Sequence, residues 1–313
     1  MTTMKAVRMH AYGGPEVVAY EDVPRPQPAA GEVLVRVRAA AVNPVDWMIR
    51  NGYGKEWWGH QLPLTLGCEL AGVVKSVGAE VKTLKPGEAV YGYLNLGRNG
   101  AYAEFAIAKE SEVAPKPAAL DFVPAAAIPV GALTSWQALF DIAKLAAGQK
   151  VLIHAAAGGV GSIAVQLAKA KGAHVIGTAS ARNADFLRGL GIDEVIDYQT
   201  TRFEDVAREV DVVFDTLGGE TQERSFKVLK KGGVLVSSVS PPPEAMSNKH
   251  SVRGAMVQVQ PNAEQLREIT ALIDSGKIKP FVETVLPLGE VQRAHELSQS
   301  GRTRGKIVLQ VSK

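Results

Sequence analysis

The residues best suited to chemistry form a glycine-rich turn in the middle of the chain. An apolar run, Val151 to Ala155, leads into Ala156-Ala157-Gly158-Gly159-Val160-Gly161, and an apolar-periodic helical stretch follows. Gly158 allows backbone to approach a pyrophosphate, Gly161 allows close helix–strand packing, and the helix N-terminus attracts the anion. Ala156 replaces the first glycine of the G-x-G-x-x-G fingerprint, so a tight turn of any α/β protein is the alternative. The α/β units that follow favour a dinucleotide site.

The second apolar strand ends in a segment that selects between the two nicotinamide dinucleotides. Proteins that bind NAD usually place an Asp or Glu there, bonded to the ribose 2′-hydroxyl. This chain has Thr178-Ala179-Ser180-Ala181-Arg182-Asn183, which contains no acid. Ser180 can donate to a 2′-phosphate and Arg182 can pair with it, although Ser180 as a helix cap and Arg182 as a solvated charge is the other interpretation. The segment therefore predicts NADPH (NADP) as the cofactor.

Two textures divide the 313 residues, a length that suits two domains. Up to about residue 124, short alternating segments broken by Gly and Pro predict β structure. From about residue 148, apolar strands alternate with helical stretches, which is the βαβ pattern of a parallel sheet. We expect strands at 151–155, 174–179, 194–197, 211–215 and 234–239, a sixth near 255–259, and helices at 160–171, 183–190, 203–209, 221–230 and 263–275. Gly172, Gly191 and Gly232 stand where helices should end.

Composition excludes several classes of function. Lys and Arg total 35 and Asp and Glu total 32, and the charges are scattered, so nothing indicates nucleic acid binding. No apolar run approaches the roughly 18 residues that span a membrane. The single cysteine, Cys68, cannot form an intrachain disulfide, which suits a cytoplasmic protein, and cannot build a structural zinc site, which needs about four Cys or His ligands.

Short motifs along nearly the whole chain resemble the zinc-free quinone oxidoreductase (zeta-crystallin-like) branch of the medium-chain dehydrogenase/reductase superfamily. They agree in order and spacing, and they include Tyr12-Gly13-Gly14-Pro15-Glu16, Ala41-Val42-Asn43-Pro44-Val45-Asp46, Gly67-Cys68-Glu69-Leu70-Ala71-Gly72, Asn99-Gly100-Ala101-Tyr102-Ala103-Glu104-Phe105, Ala132-Leu133-Thr134-Ser135-Trp136, Val195-Ile196-Asp197-Tyr198, Asp215-Thr216-Leu217-Gly218-Gly219 and Arg304-Gly305-Lys306. The resemblance implies an α/β fold in which a Rossmann doubly wound parallel sheet is inserted into a mainly-β GroES-like catalytic domain.

The resemblance also implies domain limits and site positions. The GroES-like catalytic domain would comprise residues 1–124 and 263–313, and the NADP-binding domain residues 125–262. The family's cofactor positions correspond to Asn43, Thr134, Ala157, Gly158, Gly159, Val160, Ser180, Arg182, Tyr198, Leu217, Ser238, Val239, Arg304 and Lys306.

Zinc-dependent relatives hold a catalytic metal at positions that correspond to Asn43, Cys68 and Val130. Of these only Cys68 could be a ligand, and a catalytic zinc needs about three, so we expect no metal and interpret Cys68 as a small buried side chain. Without a Lewis acid, alcohol oxidation lacks its usual driving force. Reduction of quinones or α,β-unsaturated carbonyls (enones, alkenals) by hydride transfer, an activity of EC 1.6.5 or 1.3.1 type, needs less help.

The expected substrate pocket is lipophilic and flat, with walls from Trp47, Tyr53, Trp57, Trp58 and Tyr93, although these aromatic residues could equally be ordinary core. Asn43 would hold the nicotinamide ribose or donate to a developing oxyanion. The proton would come from Tyr53 or from water. Asp46 could equally be a helix cap after Pro44.

The sequence is compatible with two other functions, and it predicts one assembly. An NADPH-binding sensor or a crystallin-like structural protein would keep the fold with little turnover, and a zinc-type alcohol dehydrogenase is the second alternative. The short-chain reductases do not fit, because no tyrosine has a lysine four residues later. Family members commonly pair through the last strand of the dinucleotide sheet, here the stretch from Ser251 to Val259, so a homodimer is expected.

Overall fold

The computed structural model describes residues 2–312 of this chain. Its strands in chain order are β1 (Thr3–Met9), β2 (Val18–Pro24), β3 (Glu32–Val42), β4 (Leu64–Thr65), β5 (Glu69–Val77), β6 (Ala89–Tyr93), β7 (Phe105–Lys109), β8 (Val113–Pro115), β9 (Lys150–Ile153), β10 (His174–Ala179), β11 (Glu194–Asp197), β12 (Val210–Asp215), β13 (Leu229–Ser237), β14 (Arg253–Met256), β15 (Val282–Pro287) and β16 (Lys306–Gln310). Its α-helices are α1 (Pro44–Arg50), α2 (Lys55–Trp58), α3 (Phe122–Ala126), α4 (Pro129–Trp136), α5 (Gly159–Ala170), α6 (Ala184–Gly189), α7 (Phe203–Val206), α8 (Gly219–Ser225), α9 (Glu244–His250), α10 (Ala263–Asp274) and α11 (Val291–Gln299).

The chain divides into two units. The first contains the residues up to Val130, Pro261–Ser275 and those from Pro280 onward, and the second contains Gly131–Gln260 and Gly276–Lys279. The first division therefore falls six residues beyond the expected limit at 124, inside α4, and the second falls two residues before the expected limit at 262.

The second unit is built on a parallel sheet with the strand order β11-β10-β9-β12-β13-β14, counted over residues 2–312. Alternate residues of the central strands serve two separate apolar clusters. Val151 and Ile153 pack with α5, and Leu152 packs with Phe203 and Phe226. Burial on both faces explains why these strands have nearly continuous apolar sequences. This order and two-sided cover are those of a Rossmann fold, which confirms the predicted fold class.

The expected elements of this unit agree well with the structure at β10, β11 and α5 but not after α8. The helix predicted over 221–230 ends at Ser225, and β13 begins at Leu229. Gly232 does not end a helix, because it lies within β13 with a φ of +79° where the pairing with β12 shifts in register. The turn between α8 and β13 is hidden from sequence patterns because Phe226 and Val228 continue the apolar period as buried core residues.

The first unit is mainly β. One sheet has the order β15-β16-β3-β5-β6-β8, with β7 also paired to β3, and a smaller sheet has the order β2-β1-β4. The last strand of the chain, β16, lies antiparallel to β3, so the two ends of the sequence share one core. None of the helices within the described part of the chain is long and apolar enough to cross a membrane.

His154 is an ionisable group inside the core of the second unit. Its side chain is almost completely buried, with Nδ1 3.1 Å from Thr178 Oγ1 and Nε2 2.9 Å from Ser225 Oγ. Burial lowers the pKa of His154 from 6.5 to about 4. The folded protein therefore holds this imidazole neutral at a pH where the unfolded chain would protonate it.

This difference makes part of the stability of the fold depend on pH. The contribution of His154 to the free energy of unfolding is complete above pH 6.5 and is lost as the pH falls toward 4. Between pH 7 and pH 5 this loss amounts to about 2 kcal/mol. We expect His154→Gln to lose less free energy of unfolding than the wild type over that interval, as measured by urea denaturation at both values. The control is His10→Gln, since His10 is exposed. An unchanged pH dependence in His154→Gln would contradict the prediction.

Candidate functional site

The predicted cofactor residues of the second unit follow the ends of its parallel strands. Because all these strands run in the same direction, their carboxyl ends share one edge of the sheet, where ligands of such folds bind. The residues after each strand end are Ala157, Gly158, Gly159 and Val160 after β9, Ser180 and Arg182 after β10, Tyr198 after β11, Leu217 after β12, and Ser238 and Val239 after β13. Tyr198, Leu217 and Val239 are exposed apolar side chains. The edge therefore offers an uncovered apolar surface beside the glycine turn.

The glycine turn joins β9 to α5 by a tight path. Ala155 adopts a φ of +46°, and Gly158 is the N-cap of α5. A Cβ on Gly161 would lie 2.3 Å from the carbonyl oxygen of Ala155 and 2.7 Å from Cα of Ala156, so only glycine allows α5 to begin this close to the strand. The N-terminus of α5, whose first N–H groups have no partner within the helix, is therefore available to an anion.

Ala156, which replaces the first glycine of the fingerprint, is completely buried. Its methyl group faces Gly177 of β10, where an added Cβ would lie 2.7 Å from Cβ of Ala156 and 2.6 Å from Cδ1 of Ile192. The neighbouring strand thus provides the space that the alanine needs.

Ser180 and Arg182 lie where the sequence predicts the ribose to bind. Ser180 precedes a short 3-10 turn, and its Oγ accepts a hydrogen bond of 3.2 Å from Asn183 Nδ2. Because this oxygen acts as an acceptor, the hydroxyl proton of Ser180 remains available as a donor. Arg182 is exposed on the same turn. Ser180 is the N-cap residue of this turn, but its side chain makes no capping hydrogen bond to the backbone, so capping does not compete with phosphate binding.

Asp215, at the end of β12, organises the loops of this edge and was not among the predicted site residues. Its Oδ1 accepts from the backbone N–H groups of Leu217 (3.0 Å) and Gly218 (2.9 Å). Its Oδ2 accepts from Ser237 Oγ (2.8 Å) and Gln222 Nε2 (3.1 Å). The side chain is completely buried. The sequence signal for this role is an acid at the end of an apolar strand, directly before a glycine-containing turn.

In the first unit, strand register brings three predicted or neighbouring polar residues together. Ile307 of β16 is paired with Val42 of β3, and Ala41 of β3 is paired with Glu69 of β5. Lys306 and Glu69 therefore reach Asn43 from opposite sides. Lys306 Nζ donates to Asn43 Oδ1 (2.6 Å) and to Glu69 Oε2 (2.8 Å), and Asn43 Nδ2 donates to the same carboxylate oxygen (2.9 Å).

Asp46 caps helix α1, as the alternative interpretation of this residue proposed. Its Oδ2 accepts from the backbone N–H of Asn43 (2.8 Å) and from the hydroxyl of Tyr102 (2.7 Å). Burial raises the pKa of Asp46 to about 6 against the effect of these two donors. Burial, followed by the nearby Asp46 and Glu69, raises the pKa of the Cys68 thiol well above its usual value. Cys68 is thus a neutral, buried side chain, in agreement with its interpretation as a small apolar residue.

The five predicted pocket aromatics differ in their surroundings. Tyr53 is 41% exposed and makes edge-to-face contacts with Trp57, which is 70% exposed, and with Trp58. Trp47 is half-buried and donates from Nε1 to Ser298 Oγ (3.2 Å). Tyr93 is buried in β6, in register with Glu69. Tyr53, Trp57 and Trp58 form a cluster, whereas Trp47 and Tyr93 do not belong to it.

Two further predicted cofactor residues lie on separate elements. Thr134 is buried in α4 of the second unit. Arg304 precedes β16 in the first unit, where its backbone N–H donates to Glu283 Oε2 (2.9 Å) and its guanidinium lies over the ring of Phe281. The predicted cofactor residues thus fall into two groups. One lies at the carboxyl edge and in α4 of the second unit, and the other consists of Asn43, Arg304 and Lys306 in the first unit.

Comparison with known proteins defines the class. Residues 29–118 match the alcohol dehydrogenase GroES-like domain, and residues 190–309 match the family model described as zinc-binding dehydrogenase. The chain is 34% identical to a quinone oxidoreductase of Mus musculus over 98% of this chain and 97% of that protein. It is 36% identical to a 2-methylene-furan-3-one reductase of Solanum lycopersicum over 98% of this chain and 79% of that protein.

A solved structure agrees with these relatives. The quinone oxidoreductase from Coxiella burnetii covers 99% of this chain, over 100% of its own length, with a TM-score of 0.93 and 34% identity. The chain therefore belongs to the medium-chain dehydrogenase/reductase superfamily, as its motifs indicated. It is an oxidoreductase of that superfamily, whose members bind an NAD(P) nucleotide.

The close approach at Gly161 yields a test of the turn. We expect Gly161→Ala to lower the free energy of unfolding by roughly 1–3 kcal/mol, because the added methyl group meets main-chain atoms that cannot rotate away. The matched control is Gly189→Ala in α6, where an added Cβ meets nothing within 4 Å. Thermal and urea unfolding of both variants measure the effect. Equal stabilities of the two variants would refute the proposed constraint.

Proposed function

We propose that this protein reduces quinones or α,β-unsaturated carbonyl compounds with NADPH, by hydride transfer that needs no metal. The observation that carries the proposal is the Lys306 ammonium, which bonds to Asn43 and Glu69 beside Cys68, where zinc-dependent relatives have their ligands. The printed names of the relatives, a quinone oxidoreductase and a 2-methylene-furan-3-one reductase, support both classes of electrophile.

The residues do not fit a catalytic zinc. Val130 has no ligating side chain, and a catalytic zinc needs about three protein ligands. The Asn43 carboxamide is already bonded to Lys306 and Glu69. Because the Lys306 ammonium lies 2.6 Å from Asn43 Oδ1, it would repel a divalent cation bound to that side chain. Among the described residues, no three His, Cys, Asp or Glu side chains are grouped to hold a metal ion.

The carboxyl edge of the second unit fits a dinucleotide. Its diphosphate would lie at the N-terminus of α5, its 2′-phosphate at Ser180 and Arg182, and its adenine against the exposed side chains of that edge. Bound NADPH supplies the hydride. Asn43 has an acceptor left for a ribose hydroxyl, the second lone pair of Oδ1, whereas the second hydrogen of Nδ2 is donated in long hydrogen bonds to Ala41 O (3.5 Å) and Cys68 Sγ (3.7 Å). We therefore propose that Asn43 binds the ribose rather than donating a hydrogen bond to an oxyanion.

The cluster of Tyr53, Trp57 and Trp58 supports a flat, electron-poor substrate. Exposed aromatic faces gain contact area when a planar ring or enone covers them. The Tyr53 hydroxyl would donate the proton that neutralises the reduced substrate, with water as the alternative donor. Trp47 and Tyr93 stay in the proposed pocket as predictions from the sequence.

Two further parts of the proposal concern assembly and location. The outer strand β14 pairs only with β13 within the described residues, and it is shorter than the stretch expected from Ser251 to Val259. We propose a homodimer in which this open edge meets its twofold copy. We also propose a cytoplasmic location, on the basis of the single cysteine, although some relatives carry mitochondrial or chloroplast names.

The cofactor preference has a direct test. NADPH is expected to bind at least tenfold more tightly than NADH, because Ser180 and Arg182 can bond to the 2′-phosphate; tenfold corresponds to about 1.4 kcal/mol. Arg182→Ala should remove most of this preference, and Arg188→Ala, an exposed arginine of α6, is the control. Fluorescence titration with both cofactors measures the dissociation constants. Equal wild-type affinities, or an unchanged preference in Arg182→Ala, would refute the assignment.

The reaction is tested by NADPH consumption across a panel of electrophiles. Quinones, enones and alkenals should be reduced and simple primary alcohols should be poor substrates with NADP⁺, because nothing in the site ionises their hydroxyl group. A chelator should leave the rate unchanged, and elemental analysis should find no stoichiometric zinc. Two results would defeat the proposal: efficient alcohol oxidation, or no NADPH consumption with any electrophile, which would favour the sensor or structural function.

The role of Tyr53 is tested by removing its hydroxyl alone. If Tyr53 donates the proton, Tyr53→Phe should lower kcat for enones by about 10²-fold. Quinones should be affected less, because a quinol oxyanion is more stable and water can protonate it. Trp57→Phe is the control for packing in the same cluster. If both substrate classes respond alike and mainly through KM, Tyr53 only packs against the substrate.

A further inference from the structure

A buried ion pair lies directly beside Asn43. Lys306 Nζ is 2.8 Å from Glu69 Oε2, and the side chains are 8% and 0% exposed. Removing two charges from water costs several kcal/mol per ion, and their attraction offsets this cost only when the geometry is good and the remaining hydrogen bonds are made. A buried pair of this kind is therefore weak evidence that its role is to stabilise the fold.

The hydrogen bonds of this pair fix the direction of Glu69. Its Oε1 accepts from the backbone N–H of Val130 (2.8 Å), and its Oε2 accepts from both Lys306 and Asn43. The backbone bond holds the carboxylate at one end, so the shared oxygen Oε2 has a defined position. Lys306 uses two of its three N–H groups on Asn43 Oδ1 and Glu69 Oε2.

The pair imposes one orientation on the Asn43 carboxamide. The amide oxygen faces the ammonium and the amide nitrogen faces the carboxylate. Rotating the group by 180° would place Nδ2 against Lys306 and Oδ1 against Glu69, which replaces two attractive contacts by two repulsive ones. A surface asparagine has no such bias, so its two amide orientations differ little in free energy.

The main chain of Asn43 is held independently of this pair. Its N–H donates to Asp46 Oδ2, which also accepts from Tyr102. Loss of Lys306 would therefore free the carboxamide while the backbone of Asn43 stays anchored. The effect of Lys306 on Asn43 can for this reason be separated from the position of the helix that Asn43 begins.

We propose that Lys306 and Glu69 are positioning residues that hold the Asn43 carboxamide with its oxygen turned to receive a hydroxyl of the cofactor ribose. This inference rests on the proposed function in one respect, the placement of the ribose at Asn43. It differs from the family-based expectation for Lys306, because the lysine acts here through Asn43 and not by its own contact with the nucleotide.

A merely structural role for the pair predicts a different outcome when both charges are removed. Losing one partner leaves an uncompensated buried charge and strongly destabilises a fold, whereas replacing both by neutral side chains of similar size is often nearly neutral. Glu69→Gln combined with Lys306→Met restores charge balance, but it removes the ammonium that held Oδ1 and puts an amide nitrogen in place of Oε2, so the original orientation of the Asn43 carboxamide is no longer favoured. Stability and cofactor binding should therefore separate in this double variant.

The experiment measures the unfolding temperature and the NADPH dissociation constant of the full-length protein. Lys306→Met should lower the unfolding temperature and weaken NADPH binding about tenfold. The double variant Glu69→Gln/Lys306→Met should recover most of the unfolding temperature but keep the tenfold loss of affinity. In an Asn43→Ala background, Lys306→Met should weaken binding by less than twofold. The control Lys75→Met, at an exposed lysine of β5, should change neither quantity.

Two results would overturn the inference. Recovery of both stability and affinity in the double variant would show that the pair only stabilises the fold. A tenfold loss on adding Lys306→Met to Asn43→Ala would show that Lys306 contacts the cofactor directly. Failure of the proposed reaction is distinguishable, since a wild type that binds NADPH without reducing any electrophile leaves these binding measurements intact.

Discussion

The pairing of the last strand with β3 is the interaction on which the first unit depends. It places Ile307 opposite Val42, so a lysine from the end of the chain lies against an asparagine some 260 residues earlier. The neighbouring pairing of β3 with β5 adds Glu69 from the other side. A slip of one residue in either register would turn these side chains to the opposite face of the sheet. The apolar residues of β16 and β3 therefore determine the polar site as well as the core.

The second unit assembles its site by a different rule. The carboxyl ends of parallel strands lie at one edge of the sheet whatever residues follow them. The fold therefore determines where the site lies, and the side chains of the loops determine what it can bind. Asp215 connects these two levels. One buried carboxylate bonds to the backbone after β12 and to the hydroxyl of Ser237 at the end of β13, and so holds two loops of the edge in fixed relation. The side chains expected to meet the nucleotide depend on a residue that does not itself face it.

The sequence predicted the features that depend on local patterns. The glycine turn, the alternation of β10 and β11 with helices, and the absence of an acid after β10 follow from neighbouring residues, and the structure agrees on the elements. The limit of α8 was wrong because Phe226 and Val228 keep an apolar period through a turn. The contacts among Asn43, Glu69 and Lys306 could not be predicted in this way, since they arise from strand register between distant segments. The motif Arg304-Gly305-Lys306 indicated that Lys306 matters, but only the pairing shows which atoms it meets.

The substitution in the glycine fingerprint has a consequence for how this sequence can vary. The methyl group of Ala156 occupies the space that a side chain at position 177 would need, and Gly177 provides that space. The two positions therefore constrain each other, because an alanine at 177 fits the strand only if the residue at 156 shrinks to glycine and the end of the Ile192 side chain also moves. We expect related chains to change both positions together, with one small residue exchanged for the other across adjacent strands. Judged by the glycine fingerprint alone, Ala156 is a mismatch. Taken together, Ala156 and Gly177 still place only one methyl group between the two strands.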